Sequence, residues 1–181
     1  VYAGLAGKID LILDGGPCEN GLESTIIDCS GEVPVLLRPG GISRGAIETA
    51  LHSAGLHCRL VDAATLSDRG RLVAPGQLQS HYAPDASVRM NATSQQGDEE
   101  LIGFGPIPGA GELSLSLSQS GNIKEAAANL FSMLHQANAV TTGTNRHIAI
   151  APIPKDGIGE AINDRLQRAA APRNESSGAT K

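Results

Sequence analysis

Apolar residues in this chain come in short blocks, and the spacing within each block predicts a conformation. Val1–Gly7 fits the tail of a helix closed by Gly7. Ile9–Leu13 is apolar enough for a strand, and Asp14-Gly15-Gly16-Pro17 stops it. Thr25, Ile26 and Ile27 are β-branched and read as a buried strand. Val33–Leu37 reads as another, running into Arg38-Pro39-Gly40-Gly41. Ser43 is placed to cap a helix over Arg44–Ala54, with Ile47, Ala50, Leu51 and Ala54 on one face and Gly55 at its end. From Leu56 to Ala74 the periodicity fades and polar residues dominate, as in a linker.

Beyond Pro84 the pattern resumes. Ser87–Met90 and Leu101–Gly105 read as strands, and Leu113, Leu115 and Leu117 alternate with serines at the period of a half-buried strand. Asn122, with Glu125 three residues on, has capping-box spacing. The helix it opens sets Ala126, Ala127, Leu130, Phe131 and Leu134 on one side. Thr141–Arg146 is a loop, Ile148–Ala151 a strand, and Asp156 the expected cap of a last helix reaching about Ala171. Strands alternating with helices across long connections predict a small α/β sandwich around a mostly parallel sheet. Asn163-Asp164-Arg165 lies on the last helix, where charge pairing is expected.

Composition narrows the class. The chain has 181 residues, of which 40% are apolar and 2% aromatic, so Leu, Ile, Val and Ala must build the core. Fourteen Lys and Arg against nineteen Asp and Glu give a net charge of −5, which supplies no general pull toward nucleic acid or anionic lipid. Cys18, Cys29 and Cys58 are odd in number and lack CxxC spacing, so neither a disulfide framework nor a zinc site is expected. No apolar run is long enough for a membrane span and no signal peptide is present, which reads as a soluble, cytoplasmic protein. The chain starts at Val1 and reaches its first apolar block within a dozen residues, as the back part of a longer protein would.

Two places carry candidate chemistry. Ser24 and Thr25 put hydroxyls at the start of a strand, where a ligand on the loop side is met. Arg38 ends the next strand ahead of a proline–glycine turn; its fork suits a phosphate or a carboxylate, or else a structural salt bridge. The glycines around Asn20-Gly21 lack Walker or GxGxxG spacing and read as a turn. His52 and His57 show no ligand pattern. In Ala74-Pro75-Gly76 through His81-Tyr82-Ala83-Pro84, two prolines bracket the only adjacent imidazole and phenol. That stretch is either a connector with Tyr82 docked for packing or a segment reaching across a ligand site.

Four segments together resemble the threonylcarbamoyl-AMP synthase family in its two-domain form. They are Gly21-Leu22-Glu23-Ser24-Thr25-Ile26-Ile27-Asp28, Leu37-Arg38-Pro39-Gly40-Gly41, Ala74-Pro75-Gly76 through Pro84, and Gly157-Ile158-Gly159-Glu160-Ala161-Ile162-Asn163-Asp164-Arg165-Leu166. The resemblance implies the C-terminal part of a YrdC-like α/β catalytic domain over 1–55, an interdomain linker over 56–85, a small Rossmann-like α/β domain over 86–173 and a disordered tail over 174–181. It implies a nucleotidyltransferase that makes threonylcarbamoyl-AMP and pyrophosphate from L-threonine, bicarbonate and ATP with Mg²⁺, feeding the machinery that modifies tRNA. By position, Ser24 matches the residue that bonds threonine, Arg38 the arginine that holds ATP, and His81 and Tyr82 the linker pair that touches the nucleotide. The family's Lys-x-Arg followed by Ser-x-Asn does not occur in this chain, so most of the substrate pocket is expected outside it and the chain alone is expected to be inactive. Gln77-Leu78-Gln79-Ser80 also stands where many relatives carry basic and aromatic residues. The competing expectations are a non-catalytic nucleotide- or RNA-binding module, drawing on Arg146, Lys155, Arg165, Arg168 and Arg173, and a structural lid domain without a ligand.

Overall fold

The structure, a computed structural model, describes residues 2–16, 18, 20–63, 83–108 and 115–172. The elements run α1 (Tyr2–Leu5), β1 (Ile26–Asp28), β2 (Val35–Arg38), α2 (Arg44–Ser53), β3 (Val61–Asp62), β4 (Val88–Arg89), β5 (Glu100–Phe104), β6 (Leu115–Ser118), α3 (Ile123–Thr141), β7 (Ile148–Ile150) and α4 (Gly159–Ala170). His81, Tyr82 and the expected tail lie outside the described residues.

The second half holds the larger core. Four strands in the order β4-β7-β5-β6 form an all-parallel sheet. This is the α/β arrangement that alternating strands and helices predict. Parallel strands need a long crossover, and α3 supplies one, carrying the chain from edge strand β6 past β5 to β7. It packs along β6, β5 and β7, while α4 packs against β4 and α3. Alternation along the strands then divides the side chains. Ile102, Ile148 and Ile150 join Leu130, Ile162 and Leu166 in the main core, all fully buried. Leu101 and Ala149 meet Ala92 and Ile107 in a smaller cluster.

Helix starts show local chemistry at work. The Asn122 carboxamide oxygen accepts from the N–H groups of Lys124 at 2.9 Å and Glu125 at 3.2 Å. The reciprocal half of the expected capping box is replaced by a relay. The Asn122 N–H donates to the Ser118 hydroxyl at 2.9 Å, and that hydroxyl donates to Glu125 at 2.6 Å. Asp156 is not the side-chain cap of α4, contrary to expectation. Ile158 holds the cap position without a side-chain bond, and the first N–H groups bond carbonyls three residues back, from Gly159 to Asp156 and from Ala161 to Ile158. A Cβ on Gly159 would sit 2.0 Å from the Pro154 carbonyl oxygen, so close approach of the preceding loop sets this start. Asn163, beside the expected charge pairing, is buried; its side-chain amide donates to the carbonyls of Ile153, Pro154 and Gly159.

The first region differs from expectation in three respects. Ile9–Leu13 forms no strand; Ile9 makes one isolated bridge to Ala6, and Leu11 and Leu13 are exposed. An apolar run becomes a strand only when a ladder partner is available, and none of the described strands pairs with it. Within the stretch read as linker, Val61–Asp62 instead pairs parallel with β2, completing the sheet β1-β2-β3 with Leu60 buried beneath it. Two residues are too few to show a period. Finally, β1 is half-buried rather than buried, and α2 buries none of its residues, although Ser43 caps it as expected by accepting from the Ala46 N–H at 3.3 Å.

Candidate functional site

Ser24 precedes β1 and Arg38 ends β2, and the antiparallel pairing of these strands brings the two residues together. Arg38 is buried, and its Nε and Nη2 donate to the Ser24 carbonyl oxygen at 3.1 and 2.9 Å. Nη2 also donates to the Ser24 hydroxyl at 3.2 Å. A hydroxyl that accepts from a guanidinium keeps its own proton to donate to an incoming oxygen. Ser24 is itself exposed, so a hydroxyl donor backed by a fixed positive charge faces the surface. That combination suits a carboxylate or phosphate oxygen.

The backbone around the pair is locked. The Gly41 N–H donates to the Glu23 carbonyl at 3.2 Å, and a Cβ on Gly40 would lie 2.4 Å from that same oxygen. Only glycine lets residues 39–41 approach residues 23–25 this closely. Thr25 closes the turn: its hydroxyl donates to the Ile42 carbonyl at 2.7 Å.

The last helix reaches into this corner. Arg165 is charge-paired as expected, but from a buried position, 1% exposed. Its Nε donates to Glu23 at 2.9 Å, its Nη2 to the Pro39 carbonyl at 3.0 Å, and its Nη1 to Asp164. Asp164 also holds Arg168 at 2.9 Å in the expected i, i+4 pair. A second bridge runs the other way, from Arg44 of α2 to Glu160 of α4 at 2.7 Å, with Arg44 also reaching the Leu60 carbonyl and Asp62. The hydrogen bond with Glu160, ahead of opposing burial, raises the Arg44 pKa above its ordinary value. Leu22 packs on the main core beside these contacts. The sequence did signal Glu23 and Arg165, since both stand inside the quoted motifs, but no local pattern separates a helix arginine that reaches across the molecule from one that meets water.

Other candidates are accounted for. His57 Nδ1 and His52 Nε2 lie 2.9 Å apart, the two rings meeting edge to face in a groove shared with Cys58 and Arg59. Among the described residues, no three His, Cys, Asp or Glu side chains gather as a metal site. Three of the five basic residues considered for an RNA-binding surface are ion-paired, Arg146 with Glu100 at 2.7 Å and Arg165 and Arg168 as above; Lys155 is exposed, and Arg173 lies outside the described residues. Those pairs neutralise much of the charge that an RNA-binding surface would use. No described helix is long and apolar enough to cross a membrane.

Residues 42–171 match the family model described as "Threonylcarbamoyl-AMP synthase, C-terminal domain", and residues 1–40 match one described as "Telomere recombination". The threonylcarbamoyl-AMP synthase of Bacillus subtilis is 31% identical over 184 residues, an alignment covering 93% of this chain and 51% of that protein. The crystal structure of Pyrococcus abyssi Sua5 complexed with L-threonine superposes with a TM-score of 0.69 at 27% identity, covering 93% of this chain and 52% of that one. A P. abyssi Sua5 variant with a neighbouring histidine and tyrosine both changed to alanine superposes at 0.65 with 25% identity, covering 91% of this chain and 49% of that one. The chain thus spans about half the length of the relatives it matches.

Proposed function

The chain belongs to the threonylcarbamoyl-AMP synthase family, and on that premise we propose that it forms the C-terminal part of a nucleotidyltransferase acting on L-threonine, bicarbonate and ATP. The threonine amine and bicarbonate join as a carbamate with loss of water, and a carbamate oxygen attacks the α-phosphorus of ATP as the bond to pyrophosphate breaks. The threonylcarbamoyl-AMP formed is passed, in the cytoplasm, to the machinery that modifies tRNA. Such a reaction needs in-line positioning and neutralised phosphate charge more than covalent help from the protein.

The observation that carries this reading is the Ser24–Arg38 pair: an exposed hydroxyl donor held on a buried guanidinium. Ser24 donates to the threonine and Arg38 supplies positive charge beside the ATP phosphates. Mg²⁺ comes with ATP, held by phosphate oxygens. His81 and Tyr82, which lie outside the described residues, are assigned to nucleotide contact on the motif resemblance alone.

The test is pyrophosphate release by a full-length synthase carrying this chain. Arg38→Ala should weaken ATP by about 10- to 100-fold, the worth of a hydrogen bond to a charged group. Ser24→Ala should instead raise the threonine requirement. The 181-residue chain alone should release no pyrophosphate above background. Intact ATP affinity in Arg38→Ala, with a lowered melting temperature, would reduce Arg38 to a brace and sink the assignment.

A further inference from the structure

We propose that Arg165 is a positioning residue for the Ser24–Arg38 site, so that the last helix sets the geometry of the substrate-binding edge; the inference rests on the function proposed above. Its guanidinium bonds the neighbour of each member of the pair. Glu23, which receives Nε at 2.9 Å, immediately precedes Ser24, and Pro39, whose carbonyl receives Nη2 at 3.0 Å, immediately follows Arg38. Arg38 and Arg165 therefore grip the same two segments from within β2 and from α4.

The geometry needs a planar fork. Three nitrogens of Arg165 engage three groups, namely Glu23, Pro39 and Asp164, and the side chain is sealed from water. A buried arginine with a carboxylate on either side is costly to strand, and its charge is satisfied only while residues 23 and 39 stay in place. A lysine offers a point charge that can serve one of these groups but cannot span all three. Residues 23–25 and 39–41 are already in backbone contact at Gly40, so a small shift of either moves Ser24 relative to Arg38. The Arg44–Glu160 bridge joins the same helix to the first region without touching either segment, which makes it the control.

The test has two arms. Hydrogen exchange on the 181-residue chain compares Arg165→Lys with the parent. Faster exchange is expected at residues 22–28 and 38–42, with β7 unchanged. In a full-length synthase carrying this chain, Arg165→Lys should raise the threonine KM at least tenfold with a smaller change in kcat. Arg44→Ala should leave that KM within twofold. Glu23→Gln, which retains the shape, should fall between them and stands in if Arg165→Lys fails to fold. Unchanged exchange at 22–28, or a threonine KM that moves equally in Arg44→Ala, overturns the proposal. If exchange rises but neither Ser24→Ala nor Arg38→Ala alters threonine or ATP dependence, the functional reading itself has failed and Arg165 is only a strut.

Discussion

Residues 83–172 and residues 2–62 form α/β structure by different means. The later region closes its own core, with Ile102, Leu130, Ile148, Ile150, Ile162 and Leu166 at 0% exposure. The earlier one buries, among its described apolar side chains, only Val35, Leu36 and Leu60, leaves Leu13 87% exposed, and carries a helix with no buried residue. It gains order by leaning on its neighbour, through Leu22 on the larger core and the two arginine–carboxylate bridges. Yet the candidate substrate edge lies in this weaker region. Its precision therefore comes from contacts made at a distance.

The sharpest way to break that comparison is to open a cavity in each region. Leu130 is fully buried between α3 and the sheet, and truncation there costs the transfer energy plus the void left behind. Leu130→Ala should destabilise the chain by about 2–5 kcal/mol in urea unfolding. Ile47→Ala, at a partly exposed position on α2, should cost less than about 1 kcal/mol. Equal losses would mean that the first region has a core of its own.

This division also explains what could be read from the chain. Strand β6 and helix α3 were legible from periodicity, the leucines alternating with serines in one and the core residues recurring at the helical period in the other, whereas β5 and β7 were legible as short apolar runs, buried on both faces. Ile9–Leu13 misled because hydropathy registers apolar character and says nothing about a pairing partner. β3 was missed because two residues show no period, and its place is set by β2. At the site, Ser24 and Arg38 were identifiable from residue type at strand ends, but their mutual bond depends on the β1–β2 register. Arg165 carried a motif and no local sign of burial. The start of α4 was misplaced because a tertiary approach at Gly159, rather than the Asp156 side chain, decides it.

A smaller effect separates the regions by pH. Glu99 is buried beside the parallel sheet and accepts from Arg89 Nε at 2.8 Å and Nη2 at 2.6 Å, and from the Gln96 N–H at 2.9 Å. The Arg89 hydrogen bonds hold its carboxyl below the usual carboxylate range, with burial opposing them and the Gln96 N–H adding to them. The same pairing raises the Arg89 guanidinium. A carboxyl depressed in the folded state stabilises fully above its unfolded pKa, about 4.3 for glutamate. That contribution fades as pH falls through the lower folded value. Melting followed from neutral pH toward acid should show a decline that Glu99→Gln flattens, the variant being less stable than the parent at neutral pH. A parallel decline in both proteins would place the acid sensitivity elsewhere.

The finest comparison is between two helix caps. The Asn122 oxygen accepts two N–H bonds at the start of a helix whose residues line the main core, whereas the Ser43 hydroxyl accepts one, at 3.3 Å, for a helix that buries nothing. Replacing a cap by alanine costs about 1 kcal/mol where the helix is coupled to global folding. Asn122 is also bonded through its own N–H to Ser118, so α3 begins already tied to β6. Asn122→Ala should therefore lower the melting temperature of the whole chain. Ser43→Ala should scarcely move it, because α2 can fray without opening either cluster of buried residues. Its effect should appear locally, as faster amide exchange over the first turn at residues 44–47. A global shift from Ser43→Ala as large as that from Asn122→Ala would mean that α2 and α3 unfold as one unit, and that the Arg44–Glu160 bridge transmits more stability than its partial exposure to water allows.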